Sequence, residues 1–201
     1  MGFPIDDDCA QTPRASSCYR FGQTGAAATN KFPTLVAALL VAVSAAAAVP
    51  SIAGVPPPRL GIQNLSDISV PARPFDQGAD ADSDVERAVA QARKQNKRLL
   101  IDLGANWCAD CRVLSAIMEM PDVRRFLDGH YVVVVVDVGH LDRNLEIPAR
   151  FGLGGRLEGV PAVLIAEPDG ELVNRGHTAA LLDAGRMTPQ AIADWLASWA
   201  R

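Results

Sequence analysis

Six consecutive apolar residues, Tyr131-Val132-Val133-Val134-Val135-Val136, constrain the fold of this chain more than any other stretch. Five of the six are valine, whose branched Cβ suits a pleated strand and loses rotamer freedom in a helix. A half-exposed strand would alternate apolar with polar residues, and this run does not. It predicts a strand buried on both faces of a mostly parallel sheet.

Helical and extended patterns alternate around that strand. Asp82 or Ser83 can cap a helix running to about Gln95, with Val85, Ala88, Val89 and Ala92 on one face. A strand over 98–103 follows, then a helix from Cys108 to about Glu119. Pro121 opens a short helix over 122–128 that Gly129 ends. Beyond the valine strand, a helix near 143–151 precedes a Gly-rich loop over 152–159. Strands over 162–167 and 171–175 flank Pro168-Asp169-Gly170, a hairpin turn. Thr188, with Pro189 in the first turn, starts a last helix ending near Ala200. The order α-β-α-β-α-β-β-α predicts an α/β fold, a three-layer α/β/α sandwich with a mixed central sheet.

Residues 81–201 have the length of one domain, on the order of 100–150 residues. Upstream, residues 49–80 hold six of the fourteen prolines and read as a linker or an arm packed on the domain. Residues 1–48 read as a leader. Lys31 precedes an apolar, small-residue stretch from Leu35 to Ala48, the pattern of a signal peptide cleaved after Ala46 or Ala48. An uncleaved anchor is the alternative, because the apolar run reaches the ~20 residues of a membrane span only if extended past Pro50. The segment before it is long and carries Asp6-Asp7-Asp8, which suggests a true start downstream of Met1. Net charge is −4 with both signs interspersed, and no basic stripe supports nucleic-acid binding.

The chemistry-bearing run is Trp107-Cys108-Ala109-Asp110-Cys111, where the 98–103 strand gives way to a helix. Cys9 and Cys18 fall in the leader, so Cys108 and Cys111 are the only cysteines of the expected domain. Separated by two residues on a helix's first turn, they can close a disulfide with little backbone movement and open it again. The unpaired N–H groups of that turn favour a thiolate. A static disulfide and a metal-ligand pair are the alternatives. No second C-x-x-C accompanies the first, and His130, His140 and His177 are scattered rather than set at ligand spacing.

Three features in this order resemble the thioredoxin-fold family. They are Trp-Cys-x-x-Cys after a strand, the acidic Asp102 six positions before Cys108, and Gly159-Val160-Pro161 where the family places its cis-proline. The resemblance spans roughly 82–200. The 98–114 stretch is similar to exported thioredoxin-like reductases such as the C-terminal domain of the transmembrane disulfide reductase of Gram-negative bacteria. It implies that Cys108 is a partly exposed nucleophile and Cys111 the more buried resolving thiol. Asp102, buried near Cys111, would accept that thiol's proton. A cis Val160–Pro161 bond would expose a backbone edge at Val160 for a substrate peptide. Trp107 either shields the pair and contacts substrate or simply packs in the core. Met118 and Met120 read as gap-filling residues.

The implied function is a periplasmic or otherwise exported thiol–disulfide oxidoreductase that reduces protein disulfides. It would need no organic cofactor or metal, would be recharged by a membrane redox donor, and would act as a monomer. A disulfide oxidase or isomerase, or a non-enzymatic C-x-x-C metal-binding module, are the alternatives. The chain departs from thioredoxin in having Ala109-Asp110 where thioredoxin has Gly-Pro. An ionised Asp110 opposes a thiolate at Cys108, and a less stable reduced form makes a weaker oxidant, which points to the reducing direction. The valine strand lacks the lysine that thioredoxin places near its buried acid, and the 152–159 loop is longer.

Overall fold

The computed structural model describes residues 55–201 apart from Gly155. The expected leader and its expected signal-or-anchor stretch, with Cys9 and Cys18, lie outside the described residues. No helix among the described residues is long and apolar enough to cross a membrane.

The elements are α1 (Ala81–Gln95), β1 (Arg98–Gly104), α2 (Ala109–Met118), α3 (Pro121–His130), β2 (Tyr131–Asp137), α4 (Glu146–Arg150), β3 (Ala162–Ala166) and α5 (Pro189–Ser198). The sheet has the order β2-β1-β3. β1 runs parallel to β2, with Asp102 opposite Val135, and antiparallel to β3, with Asp102 opposite Val163. The sheet is therefore mixed. Leu99, Ile101 and Leu103 pack on one face with Val85, Ala88 and Ala92 of α1 and Ile147 of α4. Leu100 packs on the other with Leu114 and Ile117 of α2, Val123 and Leu127 of α3, and Ile192 and Leu196 of α5. These two apolar clusters on a central sheet make the three-layer α/β/α sandwich.

Local chemistry explains the boundaries. α1 starts two or three residues earlier than the sequence suggests, because the Asp80 carboxylate accepts from the Ser83 N–H (3.2 Å) and hydroxyl (2.8 Å). It ends at Asn96, whose φ of 52° lies in the left-handed region that Asn tolerates. The Thr188 hydroxyl caps α5 through the Ala191 N–H (3.1 Å), with Pro189 in the first turn. α3 continues through Gly129 to His130, so that glycine does not end the helix.

Two expectations need correction. Among the described strands β2 lies at the edge of the sheet and is not buried on both faces: Val133 is half-buried and Val135 is 39% exposed on the α2–α3 side. The 171–175 segment forms no strand and contributes only a bridge between Leu172 and Ala166. Asn174 takes its place. Its fully buried side-chain amide accepts from the Ile165 N–H (2.9 Å) and donates to the Val163 carbonyl (2.8 Å). A side chain thus supplies the donor and acceptor that a strand backbone would have supplied.

The 55–80 arm is fastened to the domain at two places. The Leu60 N–H donates to Gln190 Oε1 (3.0 Å), and Gln190 Nε2 donates to the Pro58 carbonyl (3.0 Å). Leu60 is buried in the α2–α3–α5 cluster, and Phe75 in the cluster on the opposite face. At the other end of the domain, Arg98 donates to Glu167 and to the Trp199 carbonyl, joining β1 to the chain's last residues.

Candidate active site

The strand-to-helix junction is a tight turn. The Cys108 N–H donates to the Ala105 carbonyl (3.1 Å), with Asn106 and Trp107 between them. This turn delivers Cys108 to the N-cap of α2, where the Cys111 N–H donates to Cys108 Sγ (3.1 Å). Cys108 and Cys111 are joined by a disulfide, with Cα atoms 5.3 Å apart. An N–H aimed at Cys108 Sγ would stabilise negative charge there when the bond opens.

Cys111 is fully buried and Cys108 is only 6% exposed, so the expected partial exposure of Cys108 is not what the oxidised form has. The Val160 carbonyl oxygen stands 3.5 Å from Cys108 Sγ. The Val160–Pro161 bond is cis. The 160–161 backbone therefore lies directly against the first cysteine, as a docked peptide would need.

Asp102 is fully buried, and neither carboxylate oxygen has a hydrogen-bond partner among the described residues. Burial raises its pKa to about 7. Asp102 shares a sheet face with Gly104, two residues on. Gly104 lies under Cys111, since a Cβ there would stand 3.2 Å from the cysteine's own Cβ. The backbone positions of Asp102 and Gly104 thus lie one strand repeat, about 7 Å, apart, with Cys111 over the second of them. A buried acid with a pKa near neutrality can hold or release a proton at working pH.

Trp107 is 53% exposed, which excludes the core-packing alternative. Its ring stacks on His140, with centroids 5.3 Å apart and planes within 6°. Its Nε1–H donates to the Gly139 carbonyl (2.7 Å). The loop after β2 that holds it is itself braced: Asp137 accepts from the Gly139 N–H (3.0 Å), and Asn144 donates to the Asp137 carbonyl (2.7 Å). The Asp110 carboxylate accepts from the Gly185 N–H (2.7 Å). No group of three or more His, Cys, Asp or Glu side chains able to hold a metal ion occurs among the described residues.

The structure thus gathers Cys108, Cys111, Val160 and Pro161 at one end of the sheet, with Asp102 buried in the strand leading to it and Trp107 at its surface. Sequence reasoning missed Asn106, His140 and Phe75. Phe75 had a faint signal, as a lone aromatic residue in a proline-rich arm; the other two had none.

Comparison with known proteins gives a consistent result. A thioredoxin-like family matches residues 80–168. The chain is 31% identical over 104 residues to the thiol:disulfide interchange protein DsbD of Cronobacter sakazakii, a match covering 50% of this chain and 17% of that protein. It is 29% identical over 72 residues to the thioredoxin of Rickettsia bellii, covering 36% of this chain and 60% of the relative. These matches span less than two thirds of either protein's length. Among solved structures, a disulphide isomerase from Xylella fastidiosa Temecula1 is similar at 35% identity and a TM-score of 0.57, covering 62% of this chain and 94% of that one.

Proposed function

The chain belongs to the thioredoxin-like family, and on that basis we propose that it is an exported thiol–disulfide oxidoreductase that reduces protein disulfides through Cys108 and Cys111. The observation that carries this reading is the disulfide at the start of α2, with the Cys111 N–H on Cys108 Sγ and the Val160 carbonyl beside it. In the dithiol form, Cys108 attacks one sulfur of a substrate disulfide as a thiolate. A Cys108–substrate bond forms, and the first substrate sulfur leaves as a thiol after taking up a proton. Cys111 then gives up its proton towards Asp102 by way of a water and attacks Cys108 Sγ. The Cys108–substrate bond breaks, the second substrate sulfur leaves and takes up a proton, and the Cys108–Cys111 disulfide remains. Two protein thiols are oxidised for each substrate disulfide reduced.

The substrate chain would lie along the Val160–Pro161 backbone, with Trp107 as an apolar neighbour. The charge of Asp110 in the first turn of α2 disfavours a long-lived thiolate and supports the reducing direction. Export rests on the apolar leader, and in an oxidising compartment the dithiol needs a membrane redox donor to restore it. The protein works as a monomer, with residues 81–201 as its catalytic domain, 49–80 as the linking arm and 1–48 as the leader.

The test is a trap. Cys111→Ala, expressed with its own leader, should accumulate mixed disulfides through Cys108 that dithiothreitol releases, and Cys108→Ala should accumulate none. An empty trap, with a wild type that reduces no insulin disulfide, would refute the reading. Isomerisation is a second reading, favoured by the similarity to the Xylella disulphide isomerase. It would show as recovery of scrambled ribonuclease activity without added reductant turnover.

A further inference from the structure

The turn that presents Cys108 has two central residues, and each is fastened to a different part of the molecule. Trp107 is held by the loop after β2 through the Gly139 carbonyl. Asn106 is held by the arm. Its Oδ1 accepts from the Phe75 N–H (3.0 Å) and its Nδ2 donates to the Phe75 carbonyl (2.8 Å). The side-chain amide thus pairs with both backbone groups of one residue, as a neighbouring strand would, and joins positions 31 residues apart. The Phe75 ring, 2% exposed, lies against Gly104, where a Cβ would overlap it, and the same Gly104 lies under Cys111. The arm therefore touches the cysteine motif from two sides, through Asn106 before Cys108 and through Gly104 beneath Cys111.

We propose that Asn106, clamped by Phe75 of the arm, is a positioning residue for the Cys108 thiolate. This rests on the reading of Cys108 as the attacking sulfur. A sulfur anion at Cys108 is stabilised by the Cys111 N–H only while the turn keeps the sulfur at the N-cap. Opening the disulfide removes the one covalent bond that holds it there. In the dithiol form, the Ala105–Cys108 hydrogen bond and the two external fastenings must hold the turn. Asn106 carries one fastening with two hydrogen bonds, so its loss lets the turn loosen and the sulfur leave the N–H.

The measurement is the rate of Cys108 alkylation by iodoacetamide against pH, made on the reduced full chain. Asn106→Ala should move the midpoint of that profile upward and slow alkylation near pH 6 by roughly three- to tenfold. Gln190→Ala is the control. It releases the arm at Leu60 and Pro58, away from the turn, and should leave the profile unchanged. If Asn106→Ala fails to fold, Asn106→Ser, which retains a hydroxyl for one of the two Phe75 groups, should give a smaller shift of the same sign. An Asn106 variant profile that superimposes on the wild type overturns the proposal, as does an equal shift in Gln190→Ala. Alkylation needs no substrate, so the result stands apart from insulin reduction by the wild type, which tests the function itself.

Discussion

Asp102 is the residue at which stability and chemistry oppose each other. An acid whose pKa rises from an ordinary 3.8 to about 7 holds its proton in the folded chain at pH values where the unfolded chain has released it. Between about pH 4 and pH 7 the folded state binds more protons, so stability falls as pH rises, and above pH 7 the full penalty is present. The ceiling is on the order of 4 kcal/mol. Asp102→Asn keeps the shape and removes the titration. Urea unfolding should show the variant and the wild type converging near pH 4, with the variant the more stable at pH 8. Parallel curves across that range would mean that the carboxylate is relieved of its burial in some other way. The same substitution should slow release of the mixed disulfide, because Cys111 loses its proton acceptor. The sequence revealed the position and acidity of Asp102, through its place in β1. The raised pKa depends on complete burial in the folded chain, which no local pattern encodes.

At the scale of elements, Asn174 does the work of a strand. Asn174→Ala leaves the buried Ile165 N–H and Val163 carbonyl without the amide partners they have now. Two such losses should cost roughly 2–4 kcal/mol in chemical denaturation, with little change in the denaturant slope. A smaller loss would mean that the 171–175 backbone moves in to complete the ladder. This position also shows why the expected hairpin did not form. The Pro168-Asp169-Gly170 turn was legible, and the chain does reverse there, with the Glu167 N–H donating to the Glu171 carbonyl at 2.8 Å. What cannot be read from turn residues is whether the returning segment pairs by backbone or by side chain. The caps behaved differently. Thr188 with Pro189 marked α5 correctly because capping is decided within four residues. For α1, Asp82 or Ser83 was the expected cap, and Asp80 takes that place instead through its two bonds to Ser83.

For the whole molecule, the valine run carried the most information and also misled in one respect. It correctly indicated a sheet sandwiched by helices, because only a largely covered strand can dispense with polar residues. It did not reveal the strand's place in the sheet, which depends on how many strands follow and where they pair. β2 ends up at the rim, paired on one side by β1 among the described strands. An outer strand of valines is a template on which another chain can add a strand, and self-association on heating or crowding is the hazard that follows. The surrounding side chains are suited to resist it. Arg124 shares a hollow with Val133 and Val135, and Lys97, Gln91 and Gln95 line the adjoining surface near Val132. Arg124→Ala should therefore scatter light at a lower temperature in a heating ramp, and Val135→Lys at a higher one, with the unfolding midpoint nearly unmoved in both. The apolar run that makes the sandwich foldable thus also sets the concentration at which the chain stays in solution, with a few charges along its border as the safeguard.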